Sequence, residues 1–465
     1  MTLFDNSTSL DTPSPPIKTD IAYALITLGT STTWGVWSGW LMYFYLSPGG
    51  APRVPVAFYS LAILITGTIN ALVTPPIGYW SDYTRSRWGR RLPFMAVSGL
   101  PMLVFFVLLW TPPVPGQSTW NLIYLAVALG LYNVAYCLNQ VPYAALLPEL
   151  ALTDQHRVRM SFWTTIFLLL GMILSSFAGP AIDYMEKTVH LSVQPAYLSV
   201  ALVYALALLP FFYLPFLVLR ERPDRQIPAA QRLDFRQSIT LTLRNPAFQV
   251  LTATGVLYWI VTSFIQAVIP FIVTEICLLS KANTLYFYLV GVLASLVCYP
   301  LVTRLASRWG KWRVSAGSLL LAALVLPGLM LIGDWLPLPL AAQGLLWVAL
   351  EAAAISGVMI LAPAFTAEVT DYDAALTGPR REGAYYSAWG LLDEVVNGAA
   401  LTFLPLLLLL GRSQSDPHGP LGVRLVGLLG GLLLLAAFFI FLRYPLRPRP
   451  AISERAKTIV ERSTP

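Results

Sequence analysis

One carboxylate stands among four arginines in a polar link between two apolar runs, each long enough to cross a bilayer: Asp82 with Arg85, Arg87, Arg90 and Arg91. An acid at the carboxyl end of a helix meets the unfavourable end of the helix dipole. Asp82 therefore needs charge-assisted hydrogen bonds, and Arg90 or Arg91 can supply them. Gly78, Asp82, Arg85, Arg90 and Arg91 together are suited to hold helix ends in one state and free them in another, as a gate does. Anchoring at a membrane surface is the simpler use of the same arginines. A reduced copy lies 221 residues downstream, where Ser307, Arg308, Trp309, Gly310 and Lys311 repeat Ser86, Arg87, Trp88, Gly89 and Arg90. The copy also joins two apolar runs, so the chain reads as two related halves.

Three further acids lie inside apolar runs, where ionisable groups are costly and mark function by default. Glu351 falls about eleven residues into its run, roughly 16 Å at 1.5 Å per residue. Asp393 and Glu394 reach a similar depth from the opposite face. No Lys or Arg occupies the middle of any run to pair with them. A carboxyl buried without a cation is suited to take up and release a proton, so Glu351, Asp393 and Glu394 are coupling candidates. Structural acids satisfied by hydrogen bonds are the plainer alternative. Sodium held by Asp393 and Glu394 ranks below the proton.

The elements that must position these groups are membrane helices. Apolar residues make up 56% of the 465 and charged residues only 11%, with a mean hydropathy of +0.65; soluble chains carry about a quarter charged residues. Twelve apolar segments are expected, at 21–46, 54–80, 93–111, 120–146, 160–181, 195–219, 247–273, 283–304, 313–333, 339–366, 383–410 and 421–443. Each suits a helix spanning a core of roughly 30 Å. Placing the N-terminus inside puts 25 of the 30 Lys and Arg on the inner face, which predicts that both termini are cytoplasmic. The arginine-rich stretch 220–246 separates a six-helix bundle at 21–219 from a second at 247–443, with cytoplasmic tails at 1–20 and 444–465. A second duplicated pair supports the two halves. Val141 to Glu149 closes the fourth span, and Pro363 to Glu368 closes the tenth.

The net charge of +7 is explained by inner-face anchors on anionic lipid, so no nucleic-acid partner is expected. Cys137, Cys277 and Cys298 fall within expected helices and read as buried thiols. His156, His190 and His418 lie in or near expected loops, and no two have metal-ligand spacing. With no phosphate loop and no nucleophile–base pair, no catalytic residue, metal site or cofactor is expected. The chain does not read as an enzyme.

Gly78, Asp82, Gly89, Arg90 and Arg91 resemble the loop between helices two and three of the major facilitator superfamily. Arg85, Ser86, Arg87 and Trp88 before Gly89 look like its glycoside–pentoside–hexuronide:cation symporter branch, which includes melibiose permease. Val141 to Glu149, Leu243 to Phe248, and Asp371 to Asp373 with Arg380 to Tyr386 are similar to the same branch, and sucrose transporters are a related neighbour. The resemblance implies an all-α membrane protein with the major facilitator fold. It also implies a multi-pass protein of the inner (plasma) membrane that moves a small molecule by alternating access, and a monomer is expected. The departures are specific. Where that branch carries acids in helices one, two and four, this chain has Ser31, Asn70, Thr74 and Gln140, and Glu394 replaces a lysine. The branch's sodium and galactoside sites therefore do not carry over.

The superfamily lines its cavity with helices one, four, seven and ten. Thr27, Ser31, Trp34 and Ser38 share a face of the first span; Asn133, Tyr136 and Gln140 share one on the fourth; Trp259, Ser263 and Gln266 share one on the seventh. Hydroxyls and amides beside aromatic faces suit a neutral polyhydroxylated ligand. Ser31, Trp34, Asn133, Tyr136, Gln140, Trp259 and Gln266 are thus the expected substrate contacts, with polar packing between helices as the competing role. The expected function is proton-coupled symport of a neutral sugar or glycoside. The alternatives are transport of an amphiphile such as a lysophospholipid, or a non-transporting sensor or assembly protein.

Overall fold

The computed structural model describes residues 17–46, 52–84, 86–151, 154–221, 245–377, 402–411 and 420–446. The helices run in chain order α1 (Ile17–Leu46), α2 (Val56–Tyr83), α3 (Leu92–Leu108), α4 (Thr119–Leu150), α5 (Asp154–Ser176), α6 (Ala178–Lys187) and α7 (Val193–Tyr213). They continue with α8 (Pro246–Phe271), α9 (Thr284–Trp309), α10 (Lys311–Val325), α11 (Leu340–Thr377) and α12 (Leu421–Phe441). A further helical stretch occupies 402–408, and the described residues contain no strand. Nine of the described helices are long and apolar enough to cross a membrane.

Two boundaries differ from expectation. Helix α1 starts at Ile17, inside the expected tail 1–20, because Asp20 in its first turn is buried against His156 and Arg159. The expected span 160–181 is two helices, α5 beginning at Asp154 and a break falling at Phe177. Pro180 in the first turn of α6 has no N–H for the hydrogen-bond ladder, so it suits a helix start and not a helix interior. His156, expected in or near a loop, lies in the first turn of α5 and is buried.

Packing groups the chain into two compact units, one of Met1–Trp37, Leu72–Pro112 and Val127–Gln226, the other of Ser38–Ala71, Pro113–Ala126 and Ile227–Pro465. The first unit has a core of Tyr23, Ile26, Leu92, Met95, Tyr143, Leu146 and Met160. Membrane helices gain little from apolar burial against lipid and associate through close packing and polar contacts. Here Tyr23 stacks on Tyr143 at 4.1 Å and donates to its carbonyl at 3.0 Å, while Thr27 and the Tyr143 hydroxyl lie 2.7 Å apart. In the second unit the Asn245 side chain caps α8 by accepting from the N–H of Ala247 at 3.0 Å, with Pro246 at the first helical position. The C-terminal part of α1 packs there as well: Tyr43 meets Phe271 at 4.9 Å and Thr274 at 3.3 Å.

Candidate functional site

The hinge of the first unit begins at Gly89, whose φ of +110° is open mainly to glycine. The chain then enters α3, whose first N–H groups lack partners within the helix. Glu221, just beyond α7, supplies the acceptor: its carboxylate takes the N–H of Arg90 at 2.5 Å, Arg91 at 2.7 Å and Leu92 at 2.6 Å. An anion is favoured at that end of the helix dipole. The contact leaves no room at the turn, since a Cβ on Gly89 would lie 2.5 Å from the Glu221 carboxyl carbon. The Arg90 guanidinium pairs with Glu149 of α4. Arg91 lies 3.1 Å from the same carboxylate, donates to the Ala145 carbonyl, and has a side chain only 8% exposed.

The second unit repeats the plan with other atoms. Gly310 has φ +85°, and Lys311 places Nζ 2.9 Å from Glu368 and 3.3 Å from the Ala364 carbonyl of α11. Ala145 and Glu149, like Ala364 and Glu368, are four residues apart and so share one helix face. Each cation therefore clamps a carbonyl and a carboxylate one turn beyond it. Tyr444 donates to Glu368 at 3.3 Å. Burial first, and the neighbouring Glu368 second, push the Tyr444 hydroxyl well above the ordinary tyrosine value.

The gate residues expected from sequence are thus placed in part. Gly78 lies on α2, where an added Cβ would meet Val141 of α4 at 3.6 Å. Arg90 and Arg91 converge on Glu149. Asp82 falls in the last turn of α2, but its side chain, like all of Arg85, lies outside the described residues. Sequence reasoning missed Glu221, which is 131 positions from Arg90. It also missed a buried cluster in which Asp20 of α1 meets His156 at 2.7 Å and Arg159 at 2.5 Å, both on α5. The available signal was an acid in the first turn of a helix, where the dipole favours it.

The expected substrate contacts are distributed as follows. In the first unit, Ser31 donates to its own helix at Thr27 O over 2.6 Å and abuts Gly171 of α5. Trp34, Asn133, Tyr136 and Gln140 are half-buried. Tyr136 stacks near Tyr132 at 6.3 Å, and Gln140 donates to Asn139 at 3.3 Å. In the second unit, Trp259 is exposed and Gln266 half-buried, with the Gln266 carbonyl accepting from Tyr288 at 3.2 Å. Glu351 of α11 is buried, and its Oε1 has no hydrogen-bond partner among the described residues. Asp393 and Glu394 lie outside the described residues. No group of three or more His, Cys, Asp or Glu suited to a metal occurs among those described.

Long apolar helices and a charged hinge repeated in each half define a membrane transporter of the major facilitator type. Solved structures agree on the fold. Nucleoside transporter NupG superposes with a TM-score of 0.62 over 92% of this chain and 98% of its own, at 11% identity. A bacterial homologue of the human drug peptide transporters PepT1 and PepT2 gives 0.64 over 96% and 99%, at 14% identity. At such identities the likeness shows the fold alone. The chain belongs to the MFS/sugar transport protein family, whose signature matches residues 22–447. Its relatives include an uncharacterized symporter, sll1374, of Synechocystis (32% identical over 36% of this chain and 31% of that protein) and the isoprimeverose transporter of Lactiplantibacillus pentosus (25%, over 53% and 50%). The chain spans half or less of the length of these two. The glucuronide carrier protein homolog of Escherichia coli is 23% identical over 92% of both chains. Family and structural neighbours are transporters, not enzymes, and the protein is a multi-pass membrane protein of the glycoside–pentoside–hexuronide:cation symporter type.

Proposed function

We propose that the protein is a proton-coupled symporter of a neutral sugar or glycoside, working by alternating access in a bacterial plasma membrane. The duplicated clamp carries this reading. A cation following a left-handed glycine holds a carbonyl and a carboxylate in each half, at Arg91 with Glu149 and at Lys311 with Glu368. Such contacts can be made and broken at modest cost, as two-state helix ends require. The family and the isoprimeverose relative point to sugars. A neutral cargo is preferred to a glucuronide because no Lys or Arg sits mid-span to meet an anion. Ser31, Trp34, Asn133, Tyr136 and Gln140 of the first unit are proposed sugar contacts, and Trp259 and Gln266 of the second are proposed separately. Twelve spans in bundles 21–219 and 247–443, cytoplasmic termini and a monomeric state complete the proposal.

One observation favours the amphiphile reading. An apolar cavity of about 300 Å³ lies in the second unit, lined by Phe264, Phe403, Leu406, Leu410 and Leu429. Thermal-shift titration of the purified full chain separates the two. Isoprimeverose, a glucuronide, a sugar alcohol and a lysophospholipid are compared at two pH values. Stabilisation by a neutral sugar, stronger at one pH, is expected; a response to the lysophospholipid alone overturns the sugar assignment.

A further inference from the structure

Glu351 is the carboxylate that stands out within the described bilayer segments. It lies on α11 eleven residues after Leu340, about 16 Å along the axis. It is 4% exposed, and Oε1 has no hydrogen-bond partner among the described residues. The titratable group that interacts with it is Tyr258 of α8. Among the described residues the neighbouring walls carry no charge at this level. A Cβ on Gly291 of α9 would meet Val348 and Ala352, and Trp347 donates to the Val325 carbonyl of α10 at 3.2 Å. The facing stretches, 290–297 of α9 and 319–325 of α10, contain no titratable side chain. Only Arg424 is charged in α12, and it donates to Met330 near one helix end.

From this geometry we infer that Glu351 is the proton-carrying site of the transport cycle. The inference rests on the proton-symport reading and takes up the one of its three candidate acids that lies among the described residues. A bare carboxylate oxygen among apolar walls is expensive, and a proton cancels the charge without requiring other ligands. A metal cation needs a shell of several oxygens, and no group of three or more His, Cys, Asp or Glu suited to one occurs among the described residues. The balance is simple: Glu351 gains a proton from one side of the membrane, crosses the cycle neutral, and returns to carboxylate as it releases the proton to the other side.

Infrared difference spectra of the purified full chain test this without a substrate. The probe is the proton itself, varied by pH, and the signal is the carbonyl stretch of a protonated carboxyl. Glu351→Gln is expected to remove one titrating carboxyl signal, while Asp393→Asn and Glu394→Gln leave it. Thermal unfolding of each variant establishes that it is folded. If the signal survives Glu351→Gln, or vanishes in either of the other two acid variants, the assignment is wrong. A titrating Glu351 in a protein that moves no protons with sugar leaves the site standing and sinks the symport reading instead.

Discussion

The hinges at Gly89 and Gly310 share a sequence ancestor and a geometry, yet they are fastened differently. At Gly89 two guanidinium groups converge on Glu149, and Glu221 closes three backbone N–H groups behind them. At Gly310 one ammonium meets Glu368, a tyrosine hydroxyl shares that carboxylate, and Gly310 as N-cap adds no side-chain bond to α10. Exposure differs as well: Arg91 is 8% exposed at its side chain, Lys311 36%. The first hinge is the more buried and the more heavily bonded of the two.

The largest expected effect tests the close approach at Gly89. Gly89→Ala should cost about 2–4 kcal/mol, because the new Cβ collides with Glu221 and φ becomes strained. Gly310→Ala should cost only about 1–2 kcal/mol, since open space surrounds it and strain acts alone. Melting temperatures in detergent report both, and equal losses would remove the proposed difference. Glu221→Ala comes next, at about 1–3 kcal/mol, because three N–H groups lose their acceptor. Glu221→Gln should recover part of that loss, and a neutral Glu221→Ala would show that the cap is unimportant.

The clamps themselves separate more finely. Arg91→Ala should destabilise by about 1–3 kcal/mol, with Arg90 still compensating Glu149. Lys311→Ala should cost about 0–1 kcal/mol, because solvent already screens that pair. Sugar uptake by the two variants should fall in the same order, and a reversed order would contradict it. Tyr444→Phe is the smallest, at about 0.5–1 kcal/mol from one hydroxyl. Its sign with pH is definite. The folded protein holds this proton more tightly than the unfolded chain, so the contribution is full below about pH 10 and fades as pH rises further. Unfolding of wild type and Tyr444→Phe should therefore converge in alkaline solution, and parallel curves would refute the assignment.

Much of the fold is written locally. Runs of apolar residues announce most of the helices, and Ser86 to Arg90 with its copy announces the hinges, because hydropathy and charge act over neighbouring positions. The repeated Val141 to Glu149 and Pro363 to Glu368 segments also contain the clamp acceptors. What stayed hidden depends on distant parts meeting. Glu221 reads as one more charge in an arginine-rich link until α7 returns it to the start of α3. Asp20, His156 and Arg159 extend α1 and α5 beyond their apolar cores, because paired charges can be buried where single ones cannot. Ser31 fits a polar stripe by spacing, but spacing does not tell a ligand from the neighbouring Gly171.

Proton movement during sugar uptake tests the central claim most directly. The full chain is reconstituted in vesicles without a membrane potential, and the outside pH is followed when the sugar that stabilises the protein is added. Alkalinisation outside, abolished by Glu351→Gln and independent of sodium, is the predicted result. Sugar entry with no proton movement, or entry that requires sodium, would contradict it.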